Sequence, residues 1–526
     1  MDPKVVAFID IGTNSIRLLL VRINPNHSYT TLSEQKETIR LGEGEFADGY
    51  LRTEAMQRAV MVCKQFAEMA RSNNAEEIIA VATAATREAR NKRDFLRLLR
   101  SETQLDVRTV SGVEEARLIY LGVSSGIHLE EKSALFIDIG GGSTELIVGD
   151  QHSYHYLDSL KLGAVRLTAL FFTPEETGPV DASRYALIQQ YVRNTAIRSI
   201  QRLQDQSFKT AYGSSGTIEN LADIAVQMFE KRPRTREDVL RFDQLLAVVE
   251  QLRSLPLAER ARLPGINARR ADIIIAGAAI LQTTMEALKI EAMHVTDRTL
   301  RDGLLVDYLQ RSGYEIVQEG SVRRRSVLQL GRKCNFDEPH ARKVTELVLS
   351  LFDSARETGL HSLGKNKREL LEYAAMLHDV GIFLSYSNHE AHSYYLINNA
   401  DLLGFDQTEV DAMAAVSYFH RKRYPSKKHA QVAALDGRIM QAVRVMAILL
   451  RIAESLDRGH KGAITEARFR PGKKGQAILE VHCERDCQLE LWGVQNHEKV
   501  FKKAFKRALV VKQIRQPAIA GSITPG

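Results

Sequence analysis

The 526-residue sequence predicts a duplicated α/β fold, followed by an α-helical domain and a small α+β C-terminal domain. Three observations carry this reading. FIDIGTNSIRLLLV at residues 8–21 and FIDIGGGSTELIVG at residues 136–149 share seven of fourteen positions, including the apolar run, the Asp-x-Gly and the following Ser. Each copy is followed by strand and helix patterns in alternation. After about residue 320 the pattern turns to nearly continuous amphipathic helix, and strand alternation returns only near residue 464.

Taken in order, VVAFIDIG and IRLLLVRI read as strands around a tight turn, and EAMQRAVMVCKQFAEMARS has helical spacing. IIAVAT reads as a buried strand, TREARNKRDFLRLLRS as a helix, VRTV as a strand, and SGVEEARLIYLGVSSG as the next helix. The first domain is therefore placed at residues 1–125. The second, 126–310, starts again with strand, turn and strand, contains the helix ASRYALIQQYVRNTAIRSIQRLQ, and has a GSSGT turn at 213–217 that opens a further helix. Two halves built on one hairpin imply a cleft between them. Residues 311–463, from SVLQLGRKCN to AESLDRGHK, form the helical domain. Residues 464–526 form the small one, with QAILEVHC and CQLELWGV as strands, VFKKAFKRALVV as a helix, and the tail PAIAGSITPG without order.

A hydrophobic content of 44% with 26% charged residues is that of a folded globular protein. No apolar run approaches the roughly 18 residues of a membrane span, and the start MDPKVVAFID lacks a signal-peptide pattern, so a cytoplasmic location is expected. Cys63, Cys334, Cys483 and Cys487 form no CxxC pair, which argues against a zinc knuckle or a disulfide framework. Residues 1–300 carry 37 Lys and Arg against 39 Asp and Glu, whereas residues 301–526 carry 35 against 26. A basic second half suits a polyanionic partner; nucleic acid is not the favoured one.

An apolar strand ending in Asp-x-Gly, then turning through small residues, aims backbone N–H groups at one spot and makes a nest for phosphate oxygens. Gly140, Gly141 and Gly142 precede the hydroxyls of Ser143 and Thr144, and in the first copy Thr13, Asn14 and Ser15 add donors. Gly213, Ser214, Ser215 and Gly216 form a third such turn. Asp10 and Asp138 stand where a strand emerges, positions suited to holding Mg²⁺ or Mn²⁺, and Glu145 on the returning strand can complete that metal site. The competing reading is an ordinary hairpin turn whose Asp and Gly satisfy turn geometry. Retention of Asp, Gly and Ser in both copies favours phosphate and metal.

Ser111 followed by Glu114 is a capping box, which accounts for Glu114 and leaves Glu115 as either a cleft-facing carboxylate or a solvated helix-terminus charge. Arg87 follows a strand and is placed at the start of its helix, where the helix dipole disfavours a cation unless an anion is near.

DIGTNS, DIGGGSTEL and GSSGT resemble the phosphate motifs of the actin, hexokinase and Hsp70-like superfamily, a ribonuclease H-like fold. SGVEEARL, ATAATREA, AAMLHDVG and HEAHSYYLI resemble more specifically the exopolyphosphatase and guanosine pentaphosphate phosphohydrolase (Ppx/GppA) family, along nearly the whole chain. The resemblance implies that Glu115 activates water and Arg87 contacts the terminal phosphoryl group. It also implies a homodimer.

In the helical half, His340, then His378 and Asp379, then Asp457 resemble the ligand order of the HD phosphohydrolase superfamily, implying an additional divalent metal. His389, His392 and His420 remain as spare ligands for a second ion. The function expected is therefore an exopolyphosphatase that processively releases orthophosphate from inorganic polyphosphate. In the same class stands a 5′-phosphohydrolase of guanosine pentaphosphate; the guanosine tetra- and pentaphosphates are expected ligands too. Another class would be a sugar-kinase-like or chaperone-like protein that uses ATP through GSSGT, and a third an actin-like nucleotide-binding regulator that signals through its HD domain.

Overall fold

The repeated motif forms the centre of two sheets in the computed structural model, which describes residues 2–515 except 130–131, 314–320, 422, 434, 461, 474 and 484–485. The tail expected to lack order lies outside the described residues. The chain divides into Met1–Gln318 and Glu319–Gly526.

In the first unit, Lys4–Ile11 (β1) pairs antiparallel with Ser15–Ile23 (β2), and β2 pairs with Tyr29–Thr38 (β3). Glu77–Ala82 (β4) lies parallel to β1 and Val107–Thr109 (β5) parallel to β4, giving the order β3-β2-β1-β4-β5. The second sheet repeats the plan. Ala134–Ile139 (β6) pairs antiparallel with Thr144–Gly149 (β7), which pairs with Tyr154–Leu160 (β8). Thr210–Ser214 (β9) runs parallel to β6, and Val239–Arg241 (β10) and Ala292–Val295 (β11) complete the order β10-β11-β9-β6-β7-β8.

The apolar runs are continuous because both faces of each central strand are covered. Val6 and Phe8 of β1 and Phe136 of β6 enter one shared core with Leu118 and Ile119 of helix Gly112–Ser124 and Leu304 and Leu305 of helix Leu300–Arg311. The alternate residues face outward into separate cores: Ile9 and Ile11 with Phe66 of helix Thr53–Ser72, Ile137 and Ile139 with Leu221 of helix Ser215–Glu230. Phe8 and Phe136 are fully buried, each removing a side chain from water for about 1.5–3 kcal/mol. The two helices of the shared core touch backbone to backbone. A Cβ on Gly303 would stand 1.8 Å from the Leu118 carbonyl oxygen, and one on Gly122 would stand 2.4 Å from that of Thr299.

In the second unit, the seven α-helices described between Val322 and Leu456 and a three-stranded sheet share a single hydrophobic core. The sheet consists of Ile464–Pro471 (β12), Gln476–Cys483 (β13) and Ala508–Arg515 (β14), in that order, with β13 and β14 parallel. Three sequence expectations are corrected here. CQLELWGV is no strand: Gln488–Gln495 is a helix, because Leu491 and Val494, three apart, are the residues buried on the core. The terminal helix stops at Phe505, Lys506 takes the left-handed conformation, and ALVV begins β14. TREARNKRDFLRLLRS is two helices, Ala84–Glu88 and Lys92–Thr103, interrupted where Asn91 bonds the backbone of Leu51 in both directions. Among the described residues no helix is long and apolar enough to cross a membrane.

Candidate active site

Both hairpins turn through the same four-residue loop. Gly12 N donates to the Ser15 carbonyl at 3.1 Å, and Gly140 N to the Ser143 carbonyl at 3.0 Å. The loops meet tip to tip: a Cβ on Gly142 would lie 2.8 Å from Thr13 Oγ1, from Phe46 and from Ala84. Glycine at 142 is thus required for the loops to approach one another, a constraint beyond close approach of a ligand.

One cleft is lined by Asp10, Asp138, Glu115 and Ser215, by Thr13, Asn14 and Ser15 of the first loop, and by Gly140, Gly141, Gly142 and Ser143 of the second. The residues of the expected phosphate site are therefore largely brought together, with four exceptions, Thr144, Gly213, Ser214 and Gly216. The hydroxyl of Thr144, fully buried, donates to the Leu162 carbonyl at 2.7 Å and so holds the chain rather than facing the cleft. Gly213 packs against Ile218 and Met293, away from the opening. Gly216 makes room for the Arg270 guanidinium, which a Cβ there would approach to 2.5 Å. Ser214 donates to Asp138 Oδ2 at 2.6 Å, orienting that carboxylate. Ser215 opens its helix at φ 72°, a left-handed conformation that a non-glycine residue adopts at a cost and that concentrates at functional sites.

Glu115 sits in the first turn of helix Gly112–Ser124, whose N-cap Ser111 accepts from Glu114 N at 3.1 Å. Only half of the expected capping box forms. The Glu114 carboxylate turns instead to Arg117, which donates to both its oxygens at 2.8 Å and also to Asp307. Glu115 points inward, 8% exposed, and accepts from Arg87 Nη1 at 2.7 Å. Arg87 lies in the last turn of the short helix Ala84–Glu88, not at its start, so the local dipole favours it; the same Nη1 also donates to the Val110 carbonyl. Its partner in this arrangement is Glu115.

Charge is divided across the site. Burial pushes Asp10 up to about 6, against the pull of Arg17 and with the help of Asp138. Burial likewise pushes Glu115 up to about 7, opposed by Arg87 and reinforced by Asp10 and Asp138. Asp138 is raised by burial, and Glu145 is raised well above the carboxylate range by burial and by the charges of Glu115 and Asp138. Glu145 stands opposite Asp138 in the sheet register and accepts from Ser159 at 2.8 Å.

Sequence reasoning missed the cations. Arg17 stands opposite Asp10 on β2 and, in the repeat, at the position equivalent to Glu145. It lines the cleft with Arg270, which is 7% exposed, has a buried Nε without a hydrogen bond, and is lowered to about 10 by burial and by Arg17. Lys36, exposed at its tip and opposite Arg17 on β3, is lowered to about 8 by partial desolvation and by Arg17, Arg270 and Arg301. Like charges paired across strands are unfavourable without an anion. Arg17 had a legible signal, its place two residues past the repeated Ser; Arg270 had none.

In the second unit, His340, His378 and Asp379 come within metal-binding distance of one another, as do Asp379, His389 and His420. Asp457 does not join them. It accepts from His340 Nδ1 at 2.8 Å, on the ring edge away from His378, and Glu454, one turn earlier on helix Gly437–Leu456, takes the facing position. Glu454 was not foreseen, and His392 belongs to neither group.

Two actin-like α/β sheets with a shared cleft are followed by a helical domain and a small C-terminal sheet. The chain belongs to the Ppx/GppA phosphatase family, whose profile matches residues 19–312, with the profile of the family's domain III matching residues 322–497. An exopolyphosphatase from Cytophaga hutchinsonii is similar at 26% identity and a TM-score of 0.54, over 59% of this chain and 98% of that one. An exopolyphosphatase-like protein gives 26% identity and a TM-score of 0.54 over 59% and 99%. The Aquifex aeolicus member of the Ppx/GppA family gives 27% identity and a TM-score of 0.49 over 59% and 99%.

Phosphatases of this family use a divalent metal, and the residues here fit one: Asp10 Oδ1 is buried with no hydrogen-bond partner, beside a second buried carboxylate, Asp138, in the same cleft. A stability consequence follows. Asp10 and Glu115 have folded-state pKa values above their unfolded ones, so the folded state holds extra protons in mild acid. Their contribution is fully present below about pH 4 and is lost as pH rises through about 6 to 7. Mg²⁺ is therefore expected to raise the melting temperature of the first unit more near pH 8 than near pH 5. Equal shifts in a calorimetric scan at the two pH values would contradict this.

Proposed function

We propose that the cleft hydrolyses the terminal phosphoanhydride of inorganic polyphosphate, releasing orthophosphate. The observation that supports this best is the juxtaposition of Glu115, a buried carboxylate poised near neutrality, with two opposed Asp carboxylates and a wall of cations. The hydroxyls of Ser15 and Ser143 and the loop amides hold the terminal phosphoryl oxygens. Arg17 and Arg270 hold the next phosphates. Glu115 takes a proton from water, whose oxygen bonds to the terminal phosphorus as the bridging P–O bond breaks opposite it, and the shortened chain leaves with the bridging oxygen. Arg87, in contact with Glu115, keeps that carboxylate turned toward the water and moves to the phosphoryl group as charge develops. Asp10, Asp138 and Glu145 would hold the divalent ion, which neutralises phosphate charge when bound.

The basic second half, including KNKR at 365–368, HRKRYPSKKH at 420–429 and KKAFKR at 502–507, supports a long polyanion over a nucleotide as substrate. The test measures orthophosphate release with Mg²⁺ from long-chain polyphosphate and from guanosine pentaphosphate side by side. Higher kcat/KM on polyphosphate is expected; a clear preference for the nucleotide would reassign the substrate while keeping the chemistry. Release from neither would overturn the hydrolytic reading.

A further inference from the structure

Three consecutive carbonyls of the second loop face one helix. Ala164 N donates to the Gly140 carbonyl at 3.0 Å, Val165 N and Arg166 N to that of Gly141 at 2.9 and 3.0 Å, and Arg166 Nε to that of Gly142 at 2.7 Å. The donors belong to the first turn of helix Ala164–Phe171. Gly163, just before it, sits so close that a Cβ there would stand 2.3 Å from the Gly141 carbonyl oxygen. In a planar trans peptide the N–H of the next residue points opposite to the C=O. Holding the carbonyls of residues 140, 141 and 142 on the helix therefore turns the amides of Gly141, Gly142 and Ser143 the other way. Among the described residues none of these three amides donates to a protein acceptor, and all three residues line the cleft. The shape of the nest is thus set by the elements behind it.

The carbonyls of the first loop are held by backbone donors. Gly42 N donates to the Thr13 carbonyl at 2.9 Å, and Ile39 N and Arg40 N to that of Asn14 at 3.0 and 2.9 Å. In the second loop the Gly142 carbonyl, whose peptide carries the Ser143 amide, is held instead by a side chain. The Arg166 guanidinium is fixed on three sides. Nε donates to Gly142, Nη2 donates to Glu88 Oε1 at 2.8 Å, and the plane lies 4.0 Å from the centroid of the Phe46 ring. Glu88 also pairs through Oε2 with Lys161 at 3.1 Å, and it directly follows Arg87 on the short helix Ala84–Glu88. The brace therefore crosses from the second half of this unit to the element of the first half that bears Arg87. A reciprocal brace runs the other way: Arg40, whose amide holds the first loop, reaches Asp272 at 2.8 Å and the Arg269 carbonyl at 3.3 Å.

We propose that Arg166 is a positioning residue for the hydrolysis: it aims the Ser143 amide at the terminal phosphoryl group and, through Glu88, keeps the second loop in register with Arg87 and Glu115. This rests on the function proposed above. Arg166 itself faces the back of the loop and touches no substrate atom. A lysine could pair with Glu88, but an ammonium has no planar fork with which to hold the Gly142 carbonyl at the same time. The role therefore depends on the shape of the guanidinium, and its charge alone does not replace it.

The test compares kcat and KM for orthophosphate release from long-chain polyphosphate in the full-length wild type, Arg166→Lys and Glu88→Gln. Arg166→Lys is expected to lower kcat by about tenfold to a hundredfold while KM changes by about threefold at most, because a preorganised donor counts most in the transition state. Its melting temperature should stay close to wild type, since the ion pair with Glu88 is kept. Glu88→Gln still accepts from Nη2 and should lose less. A wild-type kcat in Arg166→Lys would overturn the proposal, as would a rise in KM with kcat unchanged. A second readout is the amide resonances of Gly141, Gly142 and Ser143, observed with isotope-labelled glycine and serine on adding tripolyphosphate with Mg²⁺. They should move in wild type, and that of Ser143 should move less in Arg166→Lys. Should the variants fail to fold, wild-type amides that do not move overturn the proposal and amides that move support it. If the wild type releases no orthophosphate from any substrate, the hydrolytic reading fails, and the Ser143 amide in wild type against Arg166→Lys decides the positioning separately.

Discussion

Glu115→Gln is expected to lower kcat for orthophosphate release by about 10²–10⁴-fold while leaving polyphosphate affinity and melting temperature close to wild type. The substitution keeps volume and still accepts from Arg87, but it removes the basic oxygen. Because the carboxylate is poised near 7 by burial and by its neighbours, the wild-type rate should also climb as pH rises through that region in the unliganded enzyme, and the Gln variant should lose that limb. A parallel collapse of binding and turnover would show that Glu115 shapes the cleft instead of handling a proton. Folding should not suffer, since the amide removes a buried charge held above its ordinary pKa.

Gly303→Ala should destabilise the first unit by about 3 kcal/mol or more, beyond the usual range for adding a single methyl. The new carbon would fall 1.8 Å from a carbonyl oxygen of the facing helix, and neither backbone has a rotamer with which to yield. The helices must separate, and Glu115 rides on one of them. Reduced activity should therefore accompany the fall in denaturation midpoint. A variant with wild-type stability would mean that the two helices slide freely, contrary to the packing seen. Gly122→Ala is the milder companion, with its nearest atom at 2.4 Å.

The hairpins, the cleft and the helical unit were legible because their signals are local: a repeated run of fourteen residues, and long stretches of one periodicity. QLELWGVQ misled for the opposite reason. Alternation of Leu489 and Leu491 over a few residues imitates a strand, whereas tertiary contacts chose Leu491 and Val494 and left Leu489 and Trp492 half exposed. Arg87 was assigned to the right neighbourhood on a mistaken local argument, since it stands in the last turn of its helix and not at the start. Arg270 lay beyond reach because it arrives at the cleft from 53 residues past its hydrogen-bond partner Thr217, with no motif around it. Glu454 was hidden by Asp457: both lie near the end of one helix, and only the direction of the His340 ring tells which of them faces His378.

The two hairpins are copies, yet the residue opposite the strand-end Asp is Arg17 in one and Glu145 in the other. Duplication alone would have produced a vessel with equivalent ends, into which a chain of identical phosphates could thread in either sense. That exchange of sign helps to give the vessel a direction. Under the function proposed here, the phosphates behind the terminal one rest on Arg17 while the terminal one rests on the two loops, so every unit is removed from the same side and the shortened chain need only advance.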